Sequence, residues 1–490
     1  MTDFNQQIEE RMHLFKKYLN KTNMDHKDYQ YEGVKWCVVN ELRADPPCGV
    51  RGGFIADEMG LGKTIMMIGT FLCHFVKRTL IVVPPILIDQ WYNQIHKTTG
   101  HRALIYHGDN KKTITIADLT AATIVITTYG AITLTKKQLK NSSTTPLHKV
   151  SWSRVVFDEA HHLRNAKTTR YIGAKQLPAK IRWLVSGTPV QNKKQDFYSL
   201  CSMLLLPSSY YTDPLNLRVL ATSFILKRTK TQIGIEMPDI ILDKNMVQWT
   251  NDKEMELSEE IHSALEFSNV SESKSNKLVV NTVKQFGKLS LMLRARQTCI
   301  YPKLMSKQLD NLAKLGLRTD YSSYKEAFDH SSKLDSVVQM ILERKGNGCG
   351  KLIFCHFREE IDEIASRLRN GGMTTVATFD GRTSNNKRFD ILNDKNEALI
   401  LQIQTGCEGL NLQENYSEIY FISPHWNPAI EDQAIARCHR IGQTKPVFVQ
   451  RFEMCNFIKE ENQEVDTRTI DNYVGQVQTN KRIIASECIE

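Results

Sequence analysis

The chain has 490 residues, too many for one hydrophobic core, so two or three domains are expected. Its 41% hydrophobic and 24% charged residues describe an ordinary globular protein, and no run of residues approaches a membrane span. The 64 Lys plus Arg against 54 Asp plus Glu leave a net charge of +10, compatible with a polyanionic partner and equally with a solvated basic surface.

The N-terminus, Met1-Thr2-Asp3-Phe4-Asn5, is polar and is followed by acidic residues, so it does not read as a secretory signal. Eleven cysteines are scattered without a C-x-x-C pair, and Cys73, Cys201 and Cys355 lie in apolar runs. They read as buried free thiols rather than a disulfide framework or a zinc site. Residues 4–45 carry apolar positions at helical spacing, through Tyr31, Val34, Trp36 and Val38, and 1–45 is expected as a helical lead-in.

Next comes Phe54-Ile55-Ala56-Asp57-Glu58-Met59-Gly60-Leu61-Gly62-Lys63-Thr64, followed by an amphipathic run through Ile65, Ile68, Phe71 and Leu72. It reads as strand, phosphate loop and helix. Gly60 and Gly62 let backbone N–H groups close around phosphate oxygens at the positive end of the helix dipole. Lys63 would reach the β and γ phosphates, and the Thr64 hydroxyl would hold Mg²⁺. The strict G-x-x-x-x-G-K-[ST] pattern fails at Asp57, and the bland alternative is a glycine turn before an ordinary helix.

Short runs apolar on both faces then alternate with helical stretches: 78–84, 122–128, 154–158 and 182–187. They suit buried strands of a parallel sheet, with polar residues following each at the carboxyl edge, where such sheets bind ligands. Val155-Val156-Phe157-Asp158-Glu159-Ala160-His161 ends one such strand in two carboxylates. Asp158 would lie on Mg²⁺ and Glu159 beside the attacking water as general base. An acidic pair at a strand end is more often a helix cap, but one domain-length after Gly62-Lys63-Thr64 it reads as a nucleotide triphosphatase. His161 and His162 point different ways on a helix or loop and lack a third ligand, so a structural or coupling role is expected rather than a metal site.

Lobe one is expected over 46–205, and a helical insert with the inter-lobe linker over 206–335, including a polar break at 271–277. The alternation resumes at 351–357, 374–380, 398–402 and 417–423, giving a second α/β lobe over 336–455 and a tail over 456–490. This lobe has no phosphate loop. It carries Gln433-Ala434-Ile435-Ala436-Arg437-Cys438-His439-Arg440-Ile441-Gly442-Gln443, in which Arg437 and Arg440 would share one helix face and serve as arginine fingers. For two arginines alone, the plainer reading is a solvated basic face.

Taken together, Asp57 to Thr64, Asp158 to His161, Ser186-Gly187-Thr188-Pro189-Val190-Gln191-Asn192, Gly409-Leu410-Asn411-Leu412 and His439 to Gln443 resemble the Swi/Snf-type ATPases of helicase superfamily two. The resemblance runs from about Gln30 to Pro446, in the family's order, and Asp57 in place of glycine is how that family writes its phosphate loop. It implies two RecA-like lobes, ATP and Mg²⁺ as cofactors, and a DNA-stimulated motor on double-stranded DNA. Gln30 resembles the adenine-reading glutamine. Pro84 and Pro85, near Gln90-Trp91, together with Thr128 and Tyr129, resemble segments that hold one DNA strand. Ser186, Thr188 and Gln433 resemble coupling residues. Lys227 and Arg228, in the basic segment leaving lobe one, and Trp426 of Trp426-Asn427-Pro428 resemble DNA-facing positions. Trp91, Trp183 and Trp426 otherwise read as packing.

The chain departs from the family with Gln404 and Cys407 flanking Gly406, and at Ser423 and Ala436, where an acidic residue is usual. The expected function is an ATP-driven translocase that remodels protein–DNA complexes such as nucleosomes or transcription complexes. Such a protein would work in a nucleus or at a site of viral genome transcription and replication, close to a bare motor and directed by a partner protein. A strand-separating DNA or RNA helicase and a nucleotide-gated scaffold are the rival classes.

Overall fold

The computed structural model describes residues 2–187, 194–263, 287–306, 325–384, 394–406, 410–457 and 468–489, with residues 265, 310, 387, 388, 390 and 391. The chain divides into two compact units, Met1–Glu236 with Ile483–Glu490, and Met237–Arg482. Among the described residues no helix is long and apolar enough to cross a membrane.

The first unit holds a sheet of seven strands: β1 Arg51–Ile55, β2 Thr79–Val83, β3 Leu104–Tyr106, β4 Ile124–Thr128, β5 Trp152–Asp158, β6 Ala179–Val185 and β7 Ile225–Leu226. Their order is β3-β4-β2-β5-β6-β1-β7, every pairing parallel. All five residues of β2 are buried, as the two-faced apolar run requires in a sheet covered by helices on both sides. On one face lie α1 Thr2–Lys21, α2 Asp28–Leu42, α3 Lys63–Cys73 and α4 Ile88–Thr99. Ile8, Met12, Phe15 and Leu19 pack there with Val34, Val38, Met66, Met67 and Phe71.

Helix α2 is pinned by a buried carboxylate. Glu41 accepts hydrogen bonds from Arg154 Nε at 2.6 Å and Trp183 Nε1 at 2.7 Å, and His74 Nδ1 lies 2.5 Å from its other oxygen. A charge taken out of water must be paired in this way. This anchor sets where Gln30, near the start of α2, meets the phosphate loop.

The second unit is built on β8 Ile240–Val247, β9 Gly350–Cys355, β10 Val376–Phe379, β11 Ala398–Gln402, β12 Tyr416–Phe421 and β13 Val447–Met454, in the order β10-β11-β9-β12-β13-β8 and again all parallel. The expected architecture of two parallel-sheet α/β lobes, of the RecA-like kind, is the architecture found.

The stretch 206–335 differs from the helical insert expected of it, because the two units share it. Helix Pro214–Phe224 and β7 complete the first, while β8 and the helices Asp252–Ser263 and Lys288–Ile300 complete the second. Leu257, Ile261, Ala295 and Cys299 lie in the second unit's core. Strand β8 has no helical period to lose: Ile240, Ile241, Leu242 and Met246 are exposed on a sheet edge, and the strand is held by backbone pairing to β13 from Ile240 to Val247. The polar break at 271–277 lies outside the described residues. In the tail, helix Ile470–Ile489 buries Ile470 and Val474 in the second unit. Cys73, Cys201 and Cys355 are buried free thiols, as their apolar surroundings predicted.

Candidate functional site

In the first unit the expected site residues meet at the carboxyl edge of the sheet. Strand β1 ends at Ile55, and Gly60 and Gly62 turn the chain with φ of 91° and 78°, a region that side chains resist. Gly62 caps α3, so Lys63 and Thr64 open the helix. A Cβ on Gly62 would also stand 2.4 Å from Gln30 Nε2, whose amide donates to the Leu61 carbonyl at 3.2 Å. Lys63 leans back over its own loop, donating to the carbonyls of Asp57 at 2.9 Å and Glu58 at 3.3 Å.

The side chains of Asp57 and Glu58 turn the other way. Asp57 is gripped by Arg228, with Nε at 3.1 Å and Nη2 at 2.5 Å, and Glu58 pairs with Lys230 Nζ at 3.0 Å. Backbone bonds run alongside, from Ala56 N to Leu226 O and from Glu58 N to Arg228 O. The basic segment leaving the lobe is thus the outermost strand of the sheet and the brace of the phosphate loop. Resemblance placed Arg228 on DNA; the structure places it on Asp57 and the Tyr29 carbonyl. Lys227 has no such partner among the described contacts.

Strand β5 delivers Asp158 and Glu159. The Asp158 carboxylate accepts from Trp91 Nε1 at 2.7 Å on one oxygen and from the Glu159 N–H at 2.9 Å on the other. Its pKa is pushed up to about 6, first by burial and then by the charge of Glu159. Glu159 has φ 51° and ψ 50°, left-handed for a residue with a side chain, and its carboxylate lies 3.2 Å from His161 Nδ1. The rings of His161 and His162 stack at 4.7 Å rather than pointing apart, because His162 also packs on Tyr129, at 5.0 Å. Among the described residues no group of three or more His, Cys, Asp or Glu is arranged to hold a metal.

Ser186 follows β6, buried, with its N–H on the Ile55 carbonyl at 3.1 Å. A Cβ on Gly187 would stand 3.3 Å from Lys63 Nζ, so this element packs directly on the phosphate loop. Thr188 and the rest of that motif to Asn192 lie outside the described residues. Pro85 is exposed, whereas Pro84, Thr128 and Tyr129 are buried, and the Tyr129 hydroxyl donates to the Asp158 carbonyl at 2.6 Å.

In the second unit, helix Pro428–Ile435 stops before the arginines, which sit in the turn that follows and not on a shared helix face. Arg437 is 8% exposed, and its Nε has no hydrogen-bond partner among the described residues. Its carbonyl accepts from Leu412 N at 3.1 Å, and Arg440 Nη1 donates to Asn411 Oδ1. Gln443 fastens the turn, reaching the carbonyls of Gln413, Tyr416 and Cys438. Gln433 is buried in the helix. Leu410, Asn411 and Leu412 are therefore brought to the arginine turn, while Gly409 and Cys407 lie outside the described residues. Trp426 is half-buried, with the Arg296 guanidinium over its ring at 5.3 Å. Ser423, where the family usually carries an acid, donates to Asp471 at 2.8 Å, so a carboxylate reaches this position from the C-terminal helix.

Sequence reasoning missed Trp91 as a neighbour of Asp158, and Arg228 and Lys230 as neighbours of the loop before α3. The order β2-β5 is what aims Trp91 at Asp158, and pairing of β7 with β1 is what brings Arg228 to Asp57. Neither pairing is written in local spacing.

Comparison with known proteins gives the family of the chain. The SNF2-related domain matches residues 29–304 and the helicase conserved C-terminal domain matches residues 332–442. The chain is 26% identical to the DNA excision repair protein ERCC-6-like of Danio rerio, over 88% of this chain and 34% of that protein. It is 26% identical to a probable global transactivator of Orgyia pseudotsugata multicapsid polyhedrosis virus, over 93% of this chain and 89% of that one. Among solved structures, the Sulfolobus solfataricus SWI2/SNF2 ATPase core in complex with dsDNA aligns over 95% of this chain and 94% of that one, at 24% identity and a TM-score of 0.39. The chain spans about a third of the zebrafish repair protein it matches. With more than half of its length matched by one domain family, the chain belongs to the SNF2-related family.

Proposed function

We propose that the chain is an ATP-hydrolysing motor that translocates on double-stranded DNA and remodels protein–DNA complexes. The observation that supports it most is the meeting of Lys63, Asp158, Glu159 and Ser186 at one sheet edge in a chain of this family. The N–H groups around Gly60 and Gly62 and the start of α3 take the β and γ phosphates. Lys63 exchanges the carbonyls of Asp57 and Glu58 for phosphate oxygens, which are stronger acceptors. Gln30, already against the loop, reads the adenine.

The residues present fit Mg²⁺. Thr64 and Asp158 are hard oxygen donors, and the Asp158 carboxylate is buried beside that of Glu159, two negative charges that a cation would offset. When bound, Mg²⁺ would neutralise charge on the phosphates. Glu159 takes the proton of the attacking water, with His161 beside it. Arg437 and Arg440 serve as arginine fingers, groups that act on charge developing in the transition state. Nucleosomes or transcription complexes, in a nucleus or at a viral genome, are the proposed targets, reached through a partner protein.

The test is steady-state ATP hydrolysis at one salt concentration without nucleic acid, then with duplex DNA, single-stranded DNA and RNA. Stimulation by duplex alone is expected. Preference for single strands or RNA, with displacement of a long labelled strand, would replace the translocase by a strand-separating helicase, and indifference to all three would leave an ATPase without this track.

A further inference from the structure

Two loops proposed to hold DNA send a buried aromatic donor to the same residue. Pro84 and Pro85 lead into α4, where Trp91 is 1% exposed and its indole N–H donates to Asp158 Oδ2 at 2.7 Å. Thr128 ends β4, and the next residue, Tyr129, is 4% exposed with its hydroxyl on the Asp158 carbonyl at 2.6 Å. The strand order β4-β2-β5 explains the convergence: the loop after β2 lies beside the end of β5, and Tyr129, one strand farther out at the end of β4, reaches the Asp158 carbonyl with its hydroxyl.

The two bonds act on different parts of one residue, the side-chain carboxylate and the backbone carbonyl of Asp158. Trp91 occupies one carboxylate oxygen while the Glu159 N–H occupies the other, which fixes the plane of the Asp158 carboxylate. Tyr129 holds the carbonyl that joins Asp158 to Glu159, and Glu159 is the residue forced to φ 51°. That conformation persists only where its surroundings over-determine it. A shift of either loop would turn the Mg²⁺-facing carboxylate, and a shift at Tyr129 would also turn the general base. Outward, Pro85, the first turn of α4 at Asp89 and Gln90, and Gly130 are exposed to solvent.

We infer that Trp91 and Tyr129 are positioning residues that transmit engagement of DNA by the loops after β2 and β4 to Asp158 and Glu159, so that the carboxylates are aligned for hydrolysis when the track is held. The inference rests on the proposed DNA motor and adds the route by which DNA governs its turnover. No bond is made or broken in this step; it is a change in the geometry of two carboxylates.

The test uses the full chain and the variants Trp91→Phe and Tyr129→Phe, each removing one donor and keeping an aromatic ring. Turnover is measured with and without duplex DNA, beside duplex affinity by anisotropy and the Mg²⁺ dependence of binding of a fluorescent ATP analogue. Loss of a donor to a charged group is expected to lower the ratio of DNA-stimulated to basal turnover roughly tenfold. Duplex affinity and KM for ATP should stay within about twofold, where the lost contact touches neither ligand. In Trp91→Phe the Mg²⁺ needed for half-maximal analogue binding should rise. Should Trp91→Phe fail to fold, the near-isosteric Tyr129→Phe carries the test. A wild-type chain indifferent to duplex would overturn the motor reading and this inference with it. A stimulated wild type whose variants keep the same ratio, or lose basal and stimulated turnover in equal measure, would overturn the inference alone.

Discussion

Arg228 grips both carboxylate oxygens of Asp57, at 3.1 and 2.5 Å, across 171 residues of chain. The Asp57 side chain is fully buried in this pair, and the Arg228 side chain is only 16% exposed. Asp57, at the first phosphate-loop position, therefore has a structural partner: it holds the loop to the strand that leaves the lobe.

Replacing Arg228 with Ala leaves that carboxylate buried and unpaired, and is expected to cost the first unit about 3–5 kcal/mol. Arg228→Lys should recover part of this, since lysine supplies charge without the two-pronged fork. Urea unfolding checks both. A loss below about 1 kcal/mol in the alanine variant, the range of an exposed pair, would show that the grip is not held in solution.

Lys63→Ala is expected to remove turnover by a factor of about 10²–10³ or more, as for loss of a donor aimed at developing charge. Stability should fall by no more than about 1 kcal/mol, because Lys63 is half-buried and the hydrogen bonds shown for it go to two loop carbonyls. Hydrolysis assays beside thermal melting separate the two effects, and unchanged turnover would refute the site.

The strands that carry chemistry were legible because burial on both faces leaves a continuous apolar run. The runs at 78–84, 154–158 and 398–402 became β2, β5 and β11 almost residue for residue. Strand β8 escaped because an edge strand with Ile240, Ile241 and Leu242 toward solvent and Asp243 and Lys244 following has no alternation and an apolar run of only three residues. Strand β7 is two residues long and exists through its pairing with β1. The site divides in the same way. Lys63, Thr64, Asp158 and Glu159 announce themselves by spacing, whereas Trp91 reads as packing until strand order shows what stands next to it. The two arginines were legible as a pair, but the end of their helix at Ile435 was not, since Ala436 and Cys438 carry no stop signal.

Arg437→Ala is expected to lower DNA-stimulated kcat about a thousandfold with little change in ATP affinity, the signature of a group that acts on transition-state charge. Arg437→Lys should restore little of it, because a fork is replaced by a point charge. Asn411→Ala releases Arg440 from its partner while leaving both guanidinium groups in place, so a smaller loss is expected there. Single-turnover hydrolysis with a separate nucleotide-binding measurement checks all three. A rise in KM without a fall in kcat would move Arg437 from catalysis to binding.

In the second unit, His262 is a buried neutral imidazole. Its Nδ1 donates to the Ser258 carbonyl at 2.7 Å, and its Nε2 accepts from the Ile470 N–H at 2.9 Å. Burial pushes its pKa down to about 4, opposed by the Ser258 carbonyl and by Asp471, which is paired with Lys333. Between pH 4 and 6.5 the unfolded chain binds the proton that the fold refuses, so stability rises with pH across that window. The contribution is complete above pH 6.5 and is lost as pH falls toward 4, up to about 3 kcal/mol for this one group. His425, also pushed down to about 4 by burial, acts in the same sense. Glu360, pushed up to about 7 by burial, acts in the opposite sense above pH 4.5, so the whole protein's curve is a sum. The difference between wild type and His262→Asn isolates the histidine: unfolding free energies at pH 7, 6, 5 and 4.5 should converge as pH falls, because only the wild type has this proton to take up. Parallel curves would mean that His262 titrates normally and that water reaches the junction of helices Asp252–Ser263 and Ile470–Ile489.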